Sequence, residues 1–199
     1  MSSVIIPPLI SGSVFFIQNK WYNPFGSIVR WWTKSNWSHC GLVTSTPSEF
    51  LEDAFILEAT LLGTKKGTLR KYLGNKRLII YTPKRNRFNY NQGDVIIFET
   101  ENKDKIYALP GTFIGIPLTR ILNLKKNFIK WGQNCVELCL KFLRSVVKDL
   151  DTSGYDHNSM YPSELFKYIH NNENYLITYE HYGTKINNQT HLQLREKPV

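Results

Sequence analysis

The chain has 199 residues, of which 42% are hydrophobic and 14% aromatic. That is enough apolar mass for one packed domain, and it excludes a disordered chain. The net charge is +9, which suits attraction to anionic surfaces. The three cysteines, an odd number, do not make a disulfide framework and point to a reducing compartment.

In chain order, Met1 to Pro8 has no basic start and no long apolar run, so no signal peptide is expected. No stretch is apolar enough to span a bilayer. Ser13-Val14-Phe15-Phe16-Ile17 follows Gly12 and reads as a buried strand. Pro24 to Thr33 suits a short helix with its proline early. Trp37 to Ser45 reads as a second strand, ended by Thr46-Pro47-Ser48, and Phe55 to Leu61 as a third. Gly63 and Gly67 suggest a turn, and Thr68 to Leu73 fits neither pattern cleanly. Leu78 to Thr82 reads as a strand stopped by Pro83, and Lys84 to Gly93 as a basic loop.

Asp94 to Phe98 is strand-like in its β-branched content. Lys103 to Leu109 suits a short helix, and Gly111 to Pro117 a shaped loop. Val136 to Leu150 is an amphipathic helix, with Val136, Cys139, Leu140, Leu143, Val146, Val147 and Leu150 recurring at three- and four-residue steps. After a polar turn at Asp151 to Asn158, Ser163 is expected to cap a helix over Glu164 to His170. Tyr175 to Tyr179 suits an edge strand. Residues 1–183 read as a single domain and 184–199 as a polar tail.

Three residues carry chemistry. Cys135 stands where a polar stretch becomes a helix, and unpaired N–H groups at a helix start favour thiolate and can receive an oxyanion. His39, in Ser38-His39-Cys40-Gly41, sits in an apolar strand. Glu58 lies between Leu57 and Ala59, where a buried carboxylate requires a partner, and a histidine is the natural one. Nucleophile, base and orienter are thereby available. Cys40 should point to the strand face opposite His39, so only one of the two can face Cys135, and Cys40 and Cys139 are assigned to packing. The cysteine and histidine spacings match no zinc site, and no metal or cofactor is expected.

The order histidine, glutamate, then cysteine on a late helix resembles the circularly permuted NlpC-type papain-like hydrolases, which include bacterial YiiX-like proteins and a poxvirus group. The similar pieces are Ser13 to Ile17, Ser38 to Val43, Leu57 to Ala59, Leu109 to Leu118, Asn134 to Leu138 and Tyr161 to Leu165. Leu118 stands where the family carries tyrosine. The resemblance implies an α+β, permuted papain-like fold: an antiparallel sheet or small barrel with the nucleophile helix packed against it. It implies Cys135 as nucleophile, His39 as base and Glu58 as orienter, with Gln133, Asn134, Gly115 and Pro117 as oxyanion or substrate-binding positions. The expected activity is that of a thiol hydrolase or acyltransferase on an amide, peptide or lipid acyl bond. The alternative is an idle papain-like scaffold, serving as a viral structural or effector binding protein.

Trp21, Tyr22, Phe25, Trp31, Trp32 and Trp37, interleaved with Arg30 and Lys34, suit a lipid headgroup interface. The expected partners are therefore an acyl or amide substrate, lipid among them, and an anionic membrane touched peripherally. No zinc-finger, helix-turn-helix or RNA-recognition pattern accompanies the basic clusters, so nucleic acid is not expected as a partner. The expected location is the cytoplasm, or a host cytoplasm or virion if the chain is viral.

Overall fold

Short apolar runs that alternate between two faces build the centre of this protein. The computed structural model describes residues 11–18, 36–47, 50–60, 62–74, 77–84, 91–106, 134–146 and 160–182. Six strands, β1 (Val14–Gln18), β2 (His39–Ser45), β3 (Phe55–Thr60), β4 (Gly63–Thr68), β5 (Arg77–Pro83) and β6 (Tyr175–Tyr182), form one sheet in the order β4-β3-β2-β1-β5-β6. All neighbours are antiparallel. The fold is α+β. The sheet is open, with β4 and β6 at its edges, so the barrel alternative is not the one that forms.

Each central strand sends alternate side chains to two separate cores. Val14, Phe16, Cys40, Leu42, Leu57, Ala59, Ile79 and Tyr81 pack on one face. Phe15, Ile17, Val43, Ile56, Leu78 and Ile80 pack on the other, beneath single 3-10 turns at Leu51–Asp53 and Leu69–Tyr72. The first face is covered by three helices among the described residues: α1 (Gln92–Asn102), α2 (Cys135–Val146) and α3 (Pro162–Asn171). Helix α2 lies across β2 and β3, and its Phe142 meets Phe98 of α1 edge-to-face at 5.2 Å between ring centres.

Four expectations change. Asp94 to Phe98 is helical, because Asn91 and Asp94 cap each other reciprocally: Asn91 N–H donates to Asp94 Oδ2 at 2.8 Å, and Asp94 N–H to Asn91 Oδ1 at 3.2 Å. Val95, Phe98 and Asn102 then form the buried stripe while Ile96 and Ile97 face outward. That helix ends at Lys103, whose backbone is extended, so no helix continues over the described part of Lys103 to Leu109. Gly63 to Thr68 is an edge strand rather than a turn; it pairs with β3 from Thr60↔Gly63 to Phe55↔Thr68. Helix α3 starts two residues early. Its cap is Tyr161, whose N–H donates to Glu164 at 2.8 Å, rather than Ser163.

Trp37 is also corrected. It is 4% exposed, set against Phe16, Phe166 and the guanidinium of Arg77, and is a core residue rather than an interfacial one. The other aromatic residues of 21–32, together with Arg30 and Lys34, lie outside the described residues, as do the loop 111–117, the polar turn 151–158 and the tail. Among the described residues no helix is long and apolar enough to cross a membrane.

Candidate active site

Cys135 opens α2. Asn134 precedes it as N-cap, its side-chain oxygen accepting the Glu137 N–H at 2.8 Å and its carbonyl the Leu138 N–H at 3.0 Å. The earliest amides of such a turn have no partner within the helix and point outward past its end. Asn134 was expected in oxyanion or substrate binding; its Oδ1 is engaged in holding the helix that carries the thiol.

Cys135 is 5% exposed as a residue, and its thiol sits among hydrogen-bond donors. The Cys40 thiol holds the Cys135 pKa well below the ordinary thiol range, helped by the His39 ring with its charge and by the Cys40 N–H, while burial pulls the other way. Cys40, with no exposure, is pushed well up by burial first and then by hydrogen bonding to Cys135 and Cys139. The sulfurs of Cys40 and Cys139 are 3.8 Å apart. The expectation that only one of His39 and Cys40 could face Cys135 is thus corrected. Cys40 lies on the face that α2 covers. His39, on the other face, is the first residue of β2.

His39 Nε2 lies 2.9 Å from Glu58 Oε2, which leaves Nδ1 as the nitrogen for the thiol. The glutamate side chain has no exposure, and the imidazole 15%. Two residues that sequence reasoning missed complete the carboxylate's shell. The Tyr72 hydroxyl donates to Oε2, and the Lys71 ammonium to Oε1. Burial lowers the Lys71 pKa. Burial raises that of Tyr72, with a further push from the charge on Cys135. The one sequence signal was the demand of a buried carboxylate for donors, and nothing in that demand singled out the unclassified 68–73 stretch.

The imidazole is held by rings. Phe15 meets it edge-on at 6.4 Å, and Tyr72 lies tilted against it at 6.2 Å. Of the residues expected at the site, Cys135, His39, Glu58 and Asn134 come together, whereas Gln133, Gly115 and Pro117, like Leu118, lie outside the described residues. Among the described residues no cluster of His, Cys, Asp and Glu is arranged to hold a metal. Chemically, the arrangement offers an acidified thiol, a ring nitrogen able to exchange a proton with it, and a charge-balanced carboxylate that fixes the ring's tautomer. No protein-family model matches the chain and no curated protein is significantly similar to it, so the chemistry of this site rests on its own geometry.

Proposed function

We propose that the protein is a thiol hydrolase or acyltransferase with a permuted papain-like architecture, acting on an amide, peptide or lipid acyl bond. The observation that carries this reading is a single imidazole set 2.9 Å from the buried carboxylate of Glu58 and acting, with Cys40, to lower the pKa of the buried Cys135 thiol at the start of α2. Cys135 attacks the carbonyl carbon, and the developing oxyanion takes the outward N–H of the first turn of α2. His39, carrying the thiol proton, returns it to the leaving amine or alcohol as the carbon–heteroatom bond breaks. Water or an acceptor hydroxyl or amine, deprotonated by His39, then attacks the thioester and frees Cys135. Glu58 presents the same ring nitrogen to the sulfur throughout.

Lipid stays among the substrate classes because of the aromatic and basic residues of 21–34. Without Trp37 that support is reduced, and an amide or peptide bond is equally served by the site. A thiol-directed activity probe, mapped by mass spectrometry, tests the reading. Cys135 alone should be labelled, and His39→Ala should slow labelling by roughly tenfold or more, as expected when a nucleophile loses its base. An unlabelled Cys135 would favour the idle scaffold.

A further inference from the structure

Three free thiols meet at one point. Cys135 and Cys139 are one helical turn apart on the face of α2 that packs on β2, the Cys40 sulfur of β2 lies 3.8 Å from that of Cys139, and all three belong to one buried cluster. Packing asks for no such convergence, since apolar residues would fill the same volume. Cys40, across from α2 in the same buried cluster, is the second sulfur within reach of Cys135, the thiol most easily oxidised.

We propose that Cys135 is a reversible oxidation site for hydroperoxides and that Cys40 is its resolving thiol. This rests on the same thiolate that the hydrolase reading uses. The Cys135 thiolate attacks one peroxide oxygen and the O–O bond breaks. The sulfur is oxidised to a sulfenic acid, and the peroxide is reduced to an alcohol, or to water from hydrogen peroxide, taking up the proton held on His39. The Cys40 sulfur then attacks the sulfenic sulfur. The S–S bond forms, the S–O bond breaks, and the oxygen leaves as water with the Cys40 proton. In sum, two thiols and one hydroperoxide give one disulfide, one alcohol and one water.

Two features set the order. Cys135 keeps 5% of its surface whereas Cys40 and Cys139 keep none, so an oxidant meets Cys135 first. The negative charge of Cys135 helps keep Cys40 protonated, and oxidation to neutral sulfenic acid removes that charge as the resolving thiol is needed. The disulfide blocks over-oxidation of the nucleophile at the cost of its reactivity, until a dithiol reduces it.

The test treats the full chain with hydrogen peroxide and follows intact mass and non-reduced peptides. The wild type should lose two hydrogen atoms, give a Cys40–Cys135 linked peptide, lose iodoacetamide labelling at Cys135, and recover it after dithiothreitol. Cys40→Ala should give no linked peptide. It should instead form a dimedone adduct at Cys135 and go on to acids that dithiothreitol does not reverse. Cys40→Ser gives the same comparison with a near-isosteric core, should the alanine variant fold poorly. The proposal is overturned if wild-type Cys135 gains oxygens without the linked peptide, if Cys40 links only to Cys139, or if Cys135 resists peroxide. Iodoacetamide labelling before oxidation separates the two readings. A labelled thiol that forms no disulfide sinks this proposal alone, and an unlabelled one sinks the hydrolase as well.

Discussion

Gly41 follows His39 by two residues on the same strand face, and its missing side chain is filled by a neighbour. A Cβ there would stand 2.6 Å from Phe15 Cζ and 3.0 Å from the Leu57 carbonyl oxygen. The Phe15 ring that occupies this space is the one lying edge-on to His39. Gly41→Ala should displace it, costing about 1–3 kcal/mol by overpacking, and should slow alkylation of Cys135 in the variant that still folds. Denaturant titration and labelling rates check both, and an unchanged labelling rate would mean that Phe15 does not position the imidazole. Glu58→Gln keeps the shape and removes the charge. Its stability cost should be about 1–3 kcal/mol, the range for a disturbed buried hydrogen bond; under the proposed function turnover should fall about a hundredfold or more, by analogy with loss of a histidine's orienting carboxylate. Near-full activity in that variant would assign the histidine's orientation to another acceptor. The meeting of His39, Glu58 and Cys135 was readable because each needs something the others supply. Lys71, Tyr72 and the contact from Cys40 were not, since a polar side chain on a short turn, or a thiol in a strand, carries no mark of which distant group it will reach.

Among the elements, the strands with continuous apolar runs were legible because burial on both faces demands such runs. Two elements were not. In α1, Val95-Ile96-Ile97-Phe98 is a run that either strand or helix can use, and the choice is made by the Asn91–Asp94 cap outside it. In β4, Gly63-Thr64-Lys65-Lys66-Gly67-Thr68 has no apolar signal at all; its strand is imposed by the ladder from β3. The caps also make predictions. Asn134→Ala should cost about 1 kcal/mol and, because the frayed turn carries Cys135, lower its labelling rate at about pH 6. A cap variant with normal labelling would show that the thiolate owes nothing to an ordered helix start. Phe142→Ala, deep between α2 and α1, should cost about 3–5 kcal/mol, measured by denaturation.

For the whole molecule, the thiols give stability a pH dependence whose sign follows from the shifts. The Cys135 pKa is lower in the folded chain than the value of about 8.5 ordinary for an unfolded thiol. Between the two values the unfolded chain holds more protons, so stability rises with pH. Cys40 is raised, so above about 8.5 the folded chain holds the extra proton and stability falls. Cys135→Ser should flatten the rising limb, and Cys40→Ser the falling one. Parallel profiles for all three proteins would show that these thiols titrate alike folded and unfolded. The net charge of +9 leads to a further expectation, co-sedimentation with anionic vesicles that weakens with salt; its absence at low salt would leave a non-membrane substrate as the better assignment.

The thiol belongs to the core on one face of the sheet, while Glu58, Lys71 and Tyr72 belong to the other face, and His39 joins them around the start of β2. The proposed proton relay would therefore work as an alignment gauge between two layers that share only the sheet. A volume-conserving substitution in either layer, which costs little stability, can tilt it by a fraction of an ångström and detune the chemistry. Under the proposed function, turnover is accordingly expected to register such shifts before stability does.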